Sequence, residues 1–142
     1  MHPWIVPGVL LVLIAAVVAA PLLGPAGLPI YAAFSWVCHQ RPERCWQLAG
    51  HPLAVCVRCL GLYSGALAGA LAGLRFSRPL LAASLALLGV DWLAEAAGWL
   101  GPRPLSRFVV GSLAGLFLIT ALRTEPRRAR SRIPWLKKEV QV

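Results

Sequence analysis

A chain of 142 residues that is 58% apolar and only 13% charged does not have the balance of a water-soluble domain; it reads as a single membrane domain. The formal charge of +9 does not mark a nucleic-acid partner, because seven of the fourteen basic residues lie at positions 123–142, directly after an apolar stretch. There they read as a basic cytoplasmic tail lying near anionic lipid headgroups.

Residues 4–23, WIVPGVLLVLIAAVVAAPLL, are long enough to cross ~30 Å of hydrocarbon as a helix, with Pro7 near the start and Pro21 near the end. A signal peptide is the competing reading, since Val18-Ala19-Ala20 loosely resembles a cleavage site. No Lys or Arg precedes the apolar run and proline would follow the cut, so a retained span is expected. The GPAGLP stretch at 24–29 is expected to break this helix. The IYAAFSWV that follows is too brief to span and is expected at the interface, with Tyr31 and Trp36 at headgroup depth.

Residues 30–51 form the loop that leads to the second span, expected at about 52–74 with Pro52 in its first turn. Gly61, Gly65, Gly69 and Gly73 recur every four positions, a row that lets another helix backbone approach closely. The third span, about 79–100, carries Asp91 and Glu95 on one face. The fourth, about 105–122, repeats the four-residue spacing with Arg107, Gly111 and Gly115.

The expected fold is therefore all-α and polytopic: a four-helix transmembrane domain over 1–122, a Cys/His-rich extracytoplasmic loop between the first two helices, and a tail over 123–142. With both termini cytoplasmic in a multi-pass cell-membrane protein, nine basic residues (Arg75, Arg78 and seven in the tail) fall inside. Four (Arg41, Arg44, Arg103 and Arg107) fall outside.

The stretch Cys38 to Cys59, CHQRPERCWQLAGHPLAVCVRC, holds all four cysteines and two of the three histidines. Cys56-x-x-Cys59 with an upstream Cys38-His39 is a ligand set for tetrahedral zinc, iron being the second choice, with His39 or Cys45 completing four positions. Three thiolates and an imidazole leave net −1 around a divalent ion, which Arg58 or Arg44 can offset. Such a site would either staple the outer loop or act on a lipid headgroup near Asp91, Arg58 and Arg107, three candidates for catalytic roles. Asp91 is the strongest intramembrane acid by position and Glu95 the weakest, being nearest the aqueous boundary. Against this stands a plain ion-pair lock, Arg58 and Arg107 against Asp91 and Glu95, with no chemistry. Tyr63 would share a face with Cys56 and Cys59 if the helix has already begun there, and His51 would cap it.

Two other functions compete. Cys56-Val57-Arg58-Cys59 looks like the active-site pair of bacterial disulfide-generating quinone reductases, which implies thiol relay to a lipid quinone. That family divides its cysteine pairs between two outer loops, whereas here both precede one helix. A small structural subunit, a homo-oligomer or a member of a larger membrane complex, would use the glycine faces for a partner.

CHQ at 38–40, PER at 42–44 and PLAVCVRCLGLYSG at 52–65 resemble a family of small prokaryotic integral membrane proteins classed as a domain of unknown function. The similarity continues through Asp91 to SRFVVGSLAG at 106–115 and so covers most of Ser35 to Gly115. The resemblance marks Cys38, His39, Arg44, Cys56, Arg58, Cys59, Asp91 and Arg107. In that pattern position 45 is usually serine, which sets Cys45 apart. The resemblance implies a site and no particular activity.

Overall fold

The computed structural model describes residues 4–73, 78–99, 101 and 103–132, and for Arg78 and residues 123–132 the backbone alone. Arg75, Leu74, Leu100 and the tail from 133 onward, each assigned a place above, lie outside the described residues. Where no water is at hand to pair backbone amides, a run of Leu, Ala, Val and Gly satisfies them as helix. The chain is accordingly mostly helical.

Helix α1 spans Ile5–Ala19 and passes through a 3₁₀ segment, Ala20–Gly27, into α2, Leu28–Ser35. The GPAGLP stretch breaks the helix as expected: Gly24 takes φ +55° and ψ −129°, outside helical geometry, and the chain resumes in new turns at Pro25 and Pro29. Ile5–Ser35 is nonetheless apolar along its 31 residues, long enough to cross a membrane. Tyr31 is half-buried, and its hydroxyl donates to the Pro52 carbonyl at 2.5 Å. Trp36, by contrast, is 91% exposed.

A short 3₁₀ turn at Pro42–Arg44 leads to a two-residue hairpin, β1 (Gln47–Leu48) and β2 (His51–Pro52), paired Gln47 with Pro52 and Leu48 with His51. Ala49 (φ +52°) and Gly50 (φ +80°) make its turn, with the two positive φ angles that twist-matched hairpins require. Pro52 and His51 thus belong to a strand, not to a helix start or cap.

Helix α3, Val57–Ala72, begins five residues later than expected and ends on Gly73 in the left-handed region. Its 16 residues rise about 24 Å, less than the other candidate spans. Helix α4 covers Arg78–Ala96 and stops short of the expected residue 100, turning at Gly98 (φ +73°). Helix α5 covers Pro104–Arg132, so it runs on past Leu122 into the basic segment. Among the described residues three segments are long and apolar enough to cross a membrane: Ile5–Ser35, Pro79–Ala96 and Pro104–Leu122.

The most extensive interface joins α3 to α5, with smaller ones between α4 and α5 and between α1 and α3. Gly61 and Gly65 meet the backbone of Phe108 and Ser112, while Gly111 and Gly115 meet the backbone of Arg58 and Leu62. The two glycine rows close on each other within one chain, and the helices run parallel. Gly73 is not part of the contact. Elsewhere the helices expose Val9, Leu11, Val12, Val90, Leu93, Val109 and Leu122, as surfaces made for lipid do. The buried core (Val17, Ala20, Phe34, Leu53, Ala54, Val55 and Leu60) lies under the cysteine loop.

The Gly65 contact leaves no room for a methyl group. Gly65→Ala should lower stability by about 1–3 kcal/mol, the usual cost of overpacking. Gly89→Ala, at a helix position with nothing within 4 Å, should be neutral or slightly stabilising. Thermal unfolding in detergent compares the two; equal behaviour would contradict the packing described.

Candidate metal centre and its charged cavity

Two helix ends bring the cysteines together. The last hydrogen bonds of α2 continue past it, with the Val37 and Cys38 amides donating to the Phe34 carbonyl at 3.1 and 2.9 Å, which turns Cys38 inward. Cys56 is the residue before α3, in extended geometry (φ −68°, ψ 160°), and Cys59 lies in that helix's first turn. Cys56, Cys59 and Tyr63 do not therefore form one regular helical stripe; Tyr63 instead packs its ring 6.3 Å from that of Phe34.

The sulfur atoms of Cys38, Cys56 and Cys59 lie within 4.8 Å of one another, with Cys38 buried and the other two half-buried. All four cysteines are free thiols. The amide of Cys56 donates to Cys38 Sγ at 3.2 Å. Hydrogen bonds from the Cys56 and Cys59 thiols, then from the backbone amides of Cys56 and Gln40, hold Cys38 far below the ordinary thiol range despite its burial. The N-terminus of α3 favours negative charge at the same place.

The other two ligand candidates stand apart. His39 is exposed and lies on the cavity wall, outside the three-sulfur group. Cys45 is likewise outside the three-sulfur group, and burial pushes its thiol up to about 11.

Gln40 has no role in the sequence reading, yet it ties the two halves of the site. With φ +47° it directs its side-chain amide to the Tyr31 carbonyl at 2.7 Å and the Ala54 carbonyl at 2.8 Å, clamping the Cys38 turn to the approach of α3. The only hint in the sequence is its place beside Cys38-His39.

Beside the sulfurs is an ion cluster. Arg58 pairs with Asp91 at 2.5 Å and with Glu95 at 3.3 Å. Arg107 donates through Nε to Glu95 at 3.0 Å and pairs with its second oxygen as well. Arg44 reaches the same carboxylate at 3.3 Å. Among the described residues Glu95, ranked weakest from its position, is thus the hub of three guanidiniums, while Asp91 serves one. Its side chain is 13% exposed and that of Arg107 7%, so these charges are screened little by water.

Cysteines and arginines share a cavity of about 450 Å³. Its wall includes Cys38, Cys56, Cys59, His39, Arg58 and Arg107, with Trp92 and Ala96 from α4. Asp91 stands outside the wall and acts on it through Arg58. Three cysteine sulfurs beside a void with flanking cations could hold a metal ion.

Comparisons with known proteins agree with the membrane setting. A family model described as Predicted membrane protein (DUF2085) matches residues 38–121, a range that begins on Cys38 and takes in the other two sulfurs and the ion cluster. An uncharacterised protein of Methanothermobacter thermautotrophicus is 35% identical over 92 residues, which are 60% of this chain and 83% of that protein. An uncharacterised protein of Methanocaldococcus jannaschii is 50% identical over 40 residues, 28% of this chain; the match spans about a quarter (26%) of that protein's length. No solved structure matches.

Removing the hub charge should cost more than removing the outlying one. Glu95→Gln leaves Arg44, Arg58 and Arg107 sharing a neutral amide and should destabilise by about 3–5 kcal/mol, the range for breaking a buried pair. Asp91→Asn should cost distinctly less, since Arg58 keeps Glu95. Thermal midpoints in one detergent compare them, and the reverse order would return the central role to Asp91.

Proposed function

Because the chain belongs to this DUF2085 family of membrane proteins, we propose that it is a multi-pass protein with a zinc site, before iron, on Cys38, Cys56 and Cys59, open to a cavity at the outer membrane face. The observation that carries this reading is the convergence of three sulfurs within 4.8 Å beside a void of about 450 Å³. Around a tetrahedral zinc with bonds near 2.3 Å the sulfurs would stand about 3.8 Å apart, a small contraction from the present arrangement. Thiolates as ligands favour zinc over the hard cations.

Neither remaining candidate closes the fourth position: His39 and Cys45 both lie outside the sulfur group. Three protein ligands and one open position are the mark of a catalytic rather than a structural zinc, which supplies Lewis acidity to a bound oxygen. Arg58 and Arg107 line the same cavity and are placed to stabilise negative charge there, with Asp91 and Glu95 as positioning residues that hold the guanidiniums. The substrate is sought among lipid headgroups.

In this reading four segments cross the bilayer, α3 being the short fourth member shielded by α5. Its entry is lengthened by the apolar Leu53–Ala54–Val55. Exposed Trp36 and Trp99 (91% and 84%) support an interfacial depth for the site end, and the count of basic residues supports cytoplasmic termini.

Elemental analysis of detergent-purified protein should find about one zinc per chain, a tetrahedral site needing one ion. Cys56→Ser should lose most of it and His39→Ala should keep it. Absence of metal, with thiols that become titratable only after reduction, would overturn this reading in favour of thiol–disulfide exchange with a quinone.

A further inference from the structure

The cavity has a charge imbalance that the metal reading does not use. Four guanidiniums, those of Arg41, Arg44, Arg58 and Arg107, line it, and Glu95 is the one carboxylate among the described lining residues. Counting Asp91 behind Arg58, four positive charges face two negative ones, an excess of two. A three-thiolate zinc contributes net −1 and leaves the excess at one.

The donors are also in surplus. Each guanidinium carries five N–H groups in a planar fork matched to phosphate and carboxylate oxygens. Arg44, Arg58 and Arg107 converge on a single carboxylate, Arg58 Nε is buried without a hydrogen-bond partner, and Arg41 stands exposed on the rim. Val37 and Trp92 add an apolar flank, both more than half exposed, and Trp36 stands beside them in the chain. Aromatic residues so exposed belong at the depth where lipid phosphates lie.

We propose that the cavity binds a phosphate group, with Arg41 and Arg44 as the recognition residues at its mouth and Arg58 and Arg107 completing the positive wall. About 450 Å³ accommodates a phosphate together with the short polar segment that bears it. A carboxylate ligand would leave more of the wall unneutralised than a phosphate, whose several oxygens each accept from a different guanidinium. The inference deepens the metal reading by naming the substrate class of the same cavity, but recognition by arginines does not require the metal.

The test uses the full chain in detergent, with three probes: phosphatidic acid, diacylglycerol of the same acyl composition, and inorganic phosphate. Native mass spectrometry should show phosphatidic acid retained and diacylglycerol not. Arg41→Gln, on the exposed rim, should weaken retention severalfold, and Arg41→Gln with Arg44→Gln at least tenfold, with the thermal midpoint of the single variant unchanged. Displacement of the lipid by millimolar inorganic phosphate would identify free phosphate or a soluble ester as sufficient. Retention despite it would identify the lipid headgroup as the source. Equal retention of phosphatidic acid and diacylglycerol, or wild-type retention by both arginine variants, would overturn the proposal. Two comparisons separate the readings: Cys56→Ser protein that loses its metal but still binds phosphatidic acid leaves the phosphate site standing, and wild-type protein that holds metal yet retains no phosphatidic acid leaves only the metal reading.

Discussion

The direct contact between the backbones of α3 and α5 is the constraint on which the rest of the structure depends. Lipid gives helices no hydrophobic reason to associate, so close packing and internal polar pairing must do it. Gly61, Gly65, Gly111 and Gly115 allow that closeness. Because Gly111 lies against the Arg58 carbonyl, the first turns of α3 and α5 stand at one level. Arg58 and Arg107 are thereby brought to one carboxylate, Glu95, presented by the last turn of α4. A slip of one helical turn, about 5.4 Å, would remove Arg107 from its partner.

The same level fixes the cysteines. Cys56 and Cys59 open α3, and Cys38 is brought to them by the end of α2, held by Gln40 and by the Tyr31 hydroxyl on Pro52. The three sulfurs, with Cys38 the one favoured as an anion, and the guanidiniums therefore meet in one partly dehydrated place. Each set makes the other less costly, since anionic sulfur and the arginine excess oppose in sign where water screens little. A metal bound by three thiolates would keep this complementarity, and its cavity side is where the positive wall is strongest.

Much of this was legible in the sequence, and the parts that were not share physical causes. Apolar length disclosed the helices at Ile5, Pro79 and Pro104, and Cys-x-x-Cys with an upstream Cys disclosed the three-sulfur group. Pairing of Arg58 and Arg107 with Asp91 and Glu95 followed from their depth along the spans. The ranking of the two acids did not, because depth says nothing of which carboxylate faces three helices at once. Pro52 misled in the opposite way: a proline ahead of an apolar run suits a helix start and a strand edge equally. Here the Ala49-Gly50 turn decided for the hairpin. Gln40 was hidden because its partner Ala54 is distant in the chain, and Arg44, though marked in the sequence, could not be matched to Glu95 for the same reason. The break at GPAGLP, by contrast, was legible: Gly24 takes a positive φ that ends the helix, and the proline after it opens the next turn.

The central claim is that three sulfurs hold a metal with one position left open. Zinc K-edge X-ray absorption on the detergent-purified protein tests it most directly. The account predicts three sulfur neighbours at about 2.3 Å and one oxygen at about 2.0–2.2 Å, without the outer-shell scattering of an imidazole. Four sulfurs, or three with a histidine ring, would show a closed structural site and contradict it.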